Sequence, residues 1–210
     1  MKRYIGILPI KEISNEVENK NFRMIAGKQM YKWVLENCID SKITDIYVSC
    51  SWTEFKEELN EEYPYVKWIQ RPEELNGEVE LLEVMQHALS VIDDKDAVYM
   101  QIQVNKPLTR SYNINHFIDM FETTNANSLA QIQLLRTAVN WQYKKDKKQA
   151  VDFCSCSMAK MWDYETLKNA EKGTWGFGEC HIDVHVSKHH IEIDTEEDFK
   201  IAEIFLKAGL

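Results

Sequence analysis

The chain alternates between short apolar runs and amphipathic stretches up to about residue 134, and this alternation constrains the fold more than any other feature. Apolar runs rich in β-branched and aromatic residues predict strands at residues 4–9, 43–49, 66–70, 97–103 and 127–134. Apolar residues at helical spacing predict helices around residues 30–38 and at 53–59, 81–92 and 114–121. Strands that alternate with helices indicate a parallel sheet covered by helices.

The pattern becomes less regular after residue 136. The charged stretch 141–149 predicts a hairpin or a mobile loop, and the glycine-rich stretch 172–178 predicts a flexible loop. Further short elements are expected, namely strands at 153–159 and 181–186 and a helix around 164–170. A capping-box-like sequence from Thr195 to Asp198 predicts a last helix that runs to about residue 208. We therefore expect one domain over residues 1–210, with a small excursion at about 136–180.

Charge and composition argue against several classes of protein. The formal net charge is −9 over 210 residues, which disfavours nucleic-acid and anionic-membrane partners because both require a basic face. The apolar run at residues 4–10 contains Pro9 and is too short for a signal peptide or a membrane span. The five cysteines are odd in number and fit no disulfide framework, so we expect reduced thiols in a cytoplasmic protein.

The loops after the predicted strands carry the candidate binding residues. In an open parallel sheet, ligands bind beyond the carboxyl ends of the strands. The polar side chains that follow four of the predicted strands include Lys11, Ser14, Lys20, Asn21, Arg23, Arg71, Gln103 and Asn105. Cationic and amide side chains of this kind bind phosphate and sugar groups, so we expect a nucleotide-type ligand at this edge of the sheet.

Short motifs follow one another along the chain: Lys20-Asn21 with Ala26-Gly27-Lys28, Tyr47-Val48-Ser49, Arg71-Pro72 with Glu74-Leu75, Gln103 with Pro107-Leu108, and residues 192–199. In this order they resemble the acylneuraminate cytidylyltransferase family, which makes CMP-sialic acid and related CMP-ulosonic acids. Each motif alone is weakly specific, but five in collinear order cover nearly the whole chain.

The resemblance implies a three-layer α/β/α Rossmann-like nucleotidyltransferase fold of the GT-A-like kind, with a mostly parallel sheet. It implies transfer of CMP from CTP to an acidic sugar, with release of pyrophosphate. It further implies a Mg²⁺ cofactor and a homodimer in which the excursion takes part. Nucleotidyl transfer depends mainly on positioning and on neutralising phosphate charge, so such a site requires a phosphate cradle and cations.

The resemblance also implies roles for individual residues. Catalytic roles fall to Lys11, Lys20 and Asp194. Nucleotide binding falls to Ser14, Lys20, Asn21 and Arg71. Binding of the acceptor falls to Gln103, Asn105 and Arg110, and Mg²⁺ coordination falls to Glu192 and Asp194. The spacing of the last two agrees with that role, since residues i and i+2 at a strand end point the same way.

One segment departs from the family pattern. Residues 11–19 contain no glycine and add Glu12, Glu16 and Glu18 where the family places its phosphate loop. Glycine allows the backbone to approach a phosphate closely, and carboxylates repel it. The alternative hypothesis is therefore a non-catalytic relative that binds a sugar or nucleotide, or assists a biosynthetic partner.

The nucleotide-site candidates also have purely structural interpretations. Lys20 and Asn21 could form a solvated approach to a helix, and Arg71 could be a charge at a strand end. Glu192 and Asp194 could be acidic residues placed before a helix N-terminus, where the helix dipole favours them.

Other polar and aromatic positions are ambiguous in the same way. His181, Asp183 and His185 alternate along one predicted strand, where a solvent-facing or interface strand is favoured over a metal site. The tryptophans that could line an acceptor pocket are more typical of core or dimer packing; they are Trp141, Trp162 and Trp175.

Overall fold

The structure is a computed structural model that describes residues 2–14, 17–77, 79–124, 126–134, 142–144, 147–149, 154–155, 159–171, 181–185 and 191–209. Its strands are β1 Arg3–Pro9, β2 Met24–Ile25, β3 Lys28–Gln29, β4 Asp45–Cys50, β5 Lys67–Gln70, β6 Ala97–Ile102, β7 Ser128–Leu134, β8 Gln142–Lys144, β9 Lys147–Gln149, β10 Cys154–Ser155, β11 Ala159–Asp163 and β12 His181–His185. Its α-helices are α1 Met30–Ile39, α2 Thr53–Glu62, α3 Leu81–Ile92, α4 Ser111–Thr123, α5 Tyr164–Asn169 and α6 Glu196–Lys207.

The main sheet is mostly parallel, as the alternating pattern predicts. Its parallel half runs in the order β5, β4, β1, β6, with Ile7 of β1 opposite Tyr47 of β4 and Gln101 of β6. Strand β11 is antiparallel to β6 and to β7, while β12 is parallel to β7. The predicted mostly parallel sheet is confirmed.

Helices cover both faces of the sheet, because every strand of its centre is apolar on both sides. In β1, Tyr4 and Leu8 pack into the cluster that contains α1, α2 and α4 residues. Ile5 and Ile7 point to the opposite face, where residues of α3 and α5 pack. Burial on both faces explains why these strands are continuous apolar runs rather than alternating ones.

The elements near residues 136–180 differ in how well the sequence predicted them. The hairpin expected within 141–149 forms from β8 and β9, which pair antiparallel. Strand β11 was not predicted, and it lies inside the main sheet between β6 and β7. The strand expected at 153–159 matches only β10 and the first residue of β11.

A small unit formed by β2, β3 and α6 completes the domain beside the sheet. Ala26 and Gly27 connect β2 to β3 with φ values of 46° and 93°, the positive values that a tight hairpin turn requires. The predicted capping box is confirmed at α6, where Thr195 and Asp198 exchange hydrogen bonds. Ile25 and Phe199 are buried together in this unit, which attaches α6 to the chain segment after β1.

Among the described residues, no helix combines the length and the apolar character that crossing a membrane would require.

Candidate functional site

A cavity of about 400 Å³ opens at the carboxyl ends of β1, β5 and β6. Its polar lining residues are Lys11, Ser14, Lys20, Asn21, Arg71, Gln103, Asn105 and Asp194, all of which the sequence predicted as site residues. The predicted residues Glu192 and Arg110 are not part of this lining. The structure therefore brings together residues from four separate segments of the chain at the edge where a parallel sheet binds its ligands.

Lys20 links the loop after β1 to the segment before α6. It is 8% exposed, and its Nζ donates to the carbonyl oxygen of Ile193 at 2.7 Å. The same Nζ lies 3.3 Å from Oδ1 of Asp194, whose side chain is 51% exposed. A buried ammonium held in this way presents fixed positive charge to the cavity, so the solvated helix approach considered for Lys20 is not what the structure has.

The loop between β1 and β2 is held in shape by its asparagines. Asn21 is buried, and its Nδ2 donates to the carbonyl oxygen of Lys11 at 2.8 Å. Asn19 adopts a φ of 52°, and its carbonyl oxygen accepts the backbone N–H groups of Phe22 and Arg23. Asparagine tolerates this left-handed conformation better than most residues do. The turn therefore forms without a glycine in the loop.

Lys11 and Ser14 lie on the same side of this loop and line the cavity. The side chain of Lys11 is exposed, and its Nζ donates to the carbonyl oxygen of Gly77 at 3.1 Å. That contact joins the loop after β1 to the segment before α3. An exposed ammonium in such a contact can move to a phosphate at little cost.

Arg71 is 2% exposed at the end of β5. Its guanidinium donates to the carbonyl oxygen of Ser49, and its Nε lies 3.4 Å from the hydroxyl oxygen of Ser49. Burial lowers the pKa of Arg71 from its ordinary value, but a guanidinium remains charged in proteins. Arg71 thus joins the ends of β4 and β5 and adds a buried charge to the cavity wall, which is more than a strand-end charge would do.

The rest of the cavity lining mixes apolar and amide groups. Its apolar residues include Val79, Leu81 and Val84, none of which was predicted as a site residue. Oε1 of Gln103 is buried, and it has no hydrogen-bond partner among the described residues. A buried acceptor of this kind favours a ligand that brings a hydroxyl or amino donor.

Glu192 lies behind the cavity lining and has its own partners. Nδ2 of Asn105 is 3.2 Å from Oε1 of Glu192, and Nζ of Lys106 is 3.2 Å from Oε2. The side chain of Lys106 is 0% exposed. Lys106 was not predicted as a site residue, because a single lysine beside a proline forms no recognisable pattern in the sequence. Lys106 and Glu192 lie far apart in the sequence, and only the fold brings them together.

The two predicted Mg²⁺ ligands, Glu192 and Asp194, differ in their surroundings. Among the described residues, no group of three or more His, Cys, Asp or Glu side chains converges on one point. Asp194 fits such an ion, because its half-exposed carboxylate lines the cavity. Glu192 fits less well, because each of its carboxylate oxygens already accepts from Asn105 or Lys106.

Arg110 lies away from the cavity at the N-cap position of α4. Its Nη1 lies 3.4 Å from the carbonyl oxygen of Pro107, and its backbone N–H donates to Oδ1 of Asn113 at 3.1 Å. Burial lowers its pKa. These contacts support the start of α4, and the role in acceptor binding stays a prediction.

A second cleft of about 910 Å³ lies beside the first and shares Ile13 with it. Glu12 and Glu18 line this second cleft and not the cavity that contains Lys20 and Arg71. The third glutamate of the loop, Glu16, lies outside the described residues. The described acidic side chains of residues 11–19 therefore do not line the cationic cavity.

The remaining ambiguous positions are settled only in part. Trp162 is 1% exposed in β11 and packs in the core, as favoured from the sequence. Trp141 and Trp175 lie outside the described residues. The strand expected around His181 forms as β12, but the side chains of His181, Asp183 and His185 fall outside the described part of the structure.

The sequence matches a known family and a known relative. A family model described as Cytidylyltransferase matches residues 5–172. The chain is similar to the 3-deoxy-manno-octulosonate cytidylyltransferase of Blochmanniella floridana, with 26% identity over 131 residues. That match covers 60% of this chain and 50% of the relative, so the chain spans about half of the relative's length.

Solved structures share the fold at low identity. A CMP:2-keto-3-deoxy-manno-octonic acid synthetase complexed with CTP has a TM-score of 0.76 over 100% of both chains, at 11% identity. A 4-diphosphocytidyl-2C-methyl-D-erythritol synthase has a TM-score of 0.77 over 98% of this chain and 100% of its own, at 12% identity. The corresponding synthase from Anaerococcus prevotii has a TM-score of 0.75 over 98% and 96%, at 11% identity. At such identities the similarity establishes the fold alone.

Proposed function

Because this chain belongs to the cytidylyltransferase family, we propose that it transfers CMP from CTP to an acidic sugar of the sialic or ulosonic type and releases pyrophosphate. The observation that carries the proposal is the charge of the cavity. Among the described lining residues, Lys11, Lys20 and Arg71 are cationic, and Asp194 is the one carboxylate. A triphosphate requires such an excess of positive charge around it.

The chemistry needs a fixed geometry rather than an activated protein nucleophile. A hydroxyl oxygen of the acceptor forms a bond to the α-phosphorus of CTP while the bond from that phosphorus to the bridging oxygen of pyrophosphate breaks. Negative charge grows on the departing pyrophosphate, and the hydroxyl proton passes to solvent or a nearby base. Lys20 is buried and fixed by Ile193, so it neutralises phosphate charge without having to reorganise. Lys11 is exposed and can follow the leaving group.

The nucleotide would be held by the loop after β1 and by the end of β5. Asn21 fixes the path of that loop through its bond to Lys11, and Ser14 adds a hydroxyl to the lining. Arg71 offers a buried guanidinium beside the ends of β4 and β5, where a cytidine group would meet it.

The acceptor would occupy the side of the cavity formed by the loop after β6. The unpartnered Oε1 of Gln103 suits a sugar hydroxyl, and Asn105 lies beside it in the lining. The family relative from Blochmanniella floridana is named for an octulosonate, an acidic sugar. An acidic acceptor of this class is the one that we propose here.

Asp194 would hold a Mg²⁺ ion, which supplies neutralisation of phosphate charge and orientation of the phosphate oxygens when it is bound. The half-exposed carboxylate of Asp194 and its place in the cavity lining support this assignment. The contribution of the chain itself is to hold that carboxylate at the α6 N-terminus, next to Lys20.

The non-catalytic alternative rests on the glycine-free, acidic loop. Two features of the described structure weaken it. Glu12 and Glu18 line the neighbouring cleft instead of the cationic cavity, and Asn19 supplies the left-handed turn that the loop needs. The enzyme proposal is therefore preferred.

An assay of pyrophosphate release tests the proposal. The protein is incubated with CTP, Mg²⁺ and a panel of acidic sugars that includes 3-deoxy-manno-octulosonate and N-acetylneuraminate, with neutral hexoses as controls. Turnover with an acidic sugar and CTP, and none with neutral sugars, is expected. If no acceptor supports turnover and CTP does not raise the melting temperature, the enzyme proposal is wrong. Binding of an acidic sugar without CTP would support the non-catalytic alternative.

The homodimer implied by the family resemblance stays a prediction. Analytical ultracentrifugation at several protein concentrations would decide between a monomer and a dimer.

A further inference from the structure

We propose that Lys106 is a fixed internal cation that neutralises Glu192, so that Asp194 is the one carboxylate of the 192–194 pair that receives the divalent ion. This inference rests on the proposed function, because the ion is the one that would accompany CTP. It assigns a positioning role to Lys106, which is not one of the motif residues that resemble the family. It also separates two carboxylates that the sequence treats as equivalent ligands.

The contacts of Glu192 are the first observation that supports the inference. Lys106 lies 3.2 Å from Oε2, and Asn105 lies 3.2 Å from Oε1, so both carboxylate oxygens accept from groups on the loop after β6. The backbone repeats the link, because the N–H of Ile193 donates to the carbonyl oxygen of Asn105 at 2.9 Å. Glu192 is therefore anchored to this loop by main chain and side chain together.

The burial of Lys106 carries the second step. Its side chain is 0% exposed, whereas the side chain of Glu192 is 26% exposed. An ammonium removed from water needs a charged or strongly polar partner nearby. A metal ion that pulled Glu192 away would weaken the compensation of that buried charge, so the ion pair opposes coordination by Glu192.

Asp194 is also paired with a buried lysine, but it differs from Glu192 in its exposure and in its place in the cavity lining. Its side chain is 51% exposed, it lines the cavity, and its cationic neighbour Lys20 also donates to the carbonyl oxygen of Ile193. Lys20 can therefore keep a strong hydrogen bond when Asp194 turns toward an ion. Because the carboxylate of Asp194 is more exposed than that of Glu192, its ion pair opposes coordination less.

A site with one protein carboxylate has a consequence for the order of binding. Mg²⁺ retains several waters and is commonly bound through one or two carboxylates together with substrate phosphates. With Glu192 neutralised, the ligand-free protein offers too few oxygen ligands for tight binding. The ion should therefore bind tightly only with the nucleotide triphosphate.

Binding of Mn²⁺, followed by electron paramagnetic resonance, tests the inference without an activity assay. The variants are Glu192→Gln, Asp194→Asn and Lys106→Met, and each is measured with and without CTP. In the presence of CTP, Asp194→Asn should weaken Mn²⁺ binding at least about tenfold, whereas Glu192→Gln should leave it within about threefold of the parent protein. Equal losses in these two variants would overturn the inference.

The ligand-free protein provides a separate measurement. Without CTP, Lys106→Met releases the Glu192 carboxylate beside Asp194, so Mn²⁺ affinity should rise at least about fivefold, and Lys106→Met combined with Glu192→Gln should abolish the gain. A folded Lys106→Met protein with unchanged Mn²⁺ affinity would contradict the inference. If Lys106→Met does not melt cooperatively, Mn²⁺ binding to ligand-free Glu192→Gln is compared with binding to the parent protein. Unchanged binding supports the inference, and a loss of Mn²⁺ binding in Glu192→Gln opposes it.

Failure of the proposed function can be distinguished from failure of the inference about Lys106. The absence of any CTP-induced change in melting temperature, with or without Mn²⁺, would oppose CTP binding. The ligand-free Mn²⁺ measurements on Lys106→Met would still test whether Lys106 masks Glu192.

Discussion

The ammonium of Lys20 lies 3.3 Å from the carboxylate of Asp194, although 174 residues separate them in the chain. The same nitrogen donates to the carbonyl oxygen of Ile193 at 2.7 Å. These contacts join the loop after β1, which lines the cavity with cations, to the N-terminus of α6. A change at either residue is therefore expected to affect the cavity more than the stability of the fold.

Replacement of Asp194 by alanine tests the catalytic assignment. Pyrophosphate release should be abolished, because the carboxylate that meets the cation and Lys20 is removed. Stability should change by about 1 kcal/mol, because Asp194 is half exposed and the buried Lys20 keeps its hydrogen bond to Ile193. Pyrophosphate release and urea unfolding provide the two readouts. Glu197→Ala, an exposed acidic position in the first turn of α6, is the control and should retain activity. An unaffected rate in Asp194→Ala would refute the assignment.

Replacement of Arg71 by lysine tests the buried guanidinium. An ammonium cannot reproduce the donors that Arg71 directs to the carbonyl and hydroxyl oxygens of Ser49. We expect a loss of about 1–3 kcal/mol in the free energy of unfolding and a smaller CTP-induced rise in melting temperature. Arg3→Lys, at the amino end of β1, keeps a charge near Asp45 and Asp94 and should cost less than about 1 kcal/mol. Equal, small effects of both substitutions would count against a special role of Arg71.

Replacement of Gly27 by alanine tests the turn between β2 and β3. A Cβ at Gly27 meets no atom within 4 Å, but the φ of 93° is one that L-residues rarely adopt. We expect a loss of about 1–2 kcal/mol in urea unfolding, from backbone conformation alone. Gly77→Ala is the matched control, because its Cβ also enters open space but its φ is not positive. A loss in Gly77→Ala as large as in Gly27→Ala would show that the φ is not the cause.

The lowered pKa of His87 predicts how the free energy of unfolding depends on pH. Burial and then the positive charge of Arg71 lower the pKa of His87 from its ordinary value of 6.5, while Glu74 opposes this shift. As the pH falls toward and below the ordinary pKa of 6.5, the unfolded chain takes up the proton before the folded chain does. The free energy of unfolding therefore decreases. The urea midpoint should therefore fall between about pH 7.5 and pH 5.5, and His87→Gln should reduce that fall.

The control for this prediction is His116→Gln, which changes an exposed histidine on α4. It should retain the full loss of stability at the lower pH. If His87→Gln shows the same pH dependence as the parent protein, the lowered pKa does not control stability in this range.

The central part of the fold could be predicted from local pattern. Strands β1 and β6 are buried on both faces, so their apolar runs are long and uninterrupted. The first helices show apolar residues at helical spacing because one face of each is buried. The start of α6 is indicated by the capping side chains of Thr195 and Asp198. In each of these segments the physical cause lies within a few residues of the pattern.

Strand β11 and the β2–β3 hairpin escaped prediction for different reasons. Strand β11 has five residues and includes Lys160 and Asp163, so its composition does not distinguish it from a loop. It becomes a strand because β6 and β7 both offer unpaired edges to it. Strands β2 and β3 have two residues each, which is too short for any periodicity to appear.

The fold class and most of the cavity lining could be inferred from the order of the sequence patterns, because the loops after parallel strands must meet at one edge of the sheet. Tertiary structure alone decided how the charges at that edge are paired. Residues 192 and 194 have the same acidic character in the sequence, yet Glu192 meets the buried Lys106 and Asp194 meets Lys20 at the cavity surface. The energy of such pairs depends on distance and burial, and both are set by the packing of segments far apart in the chain.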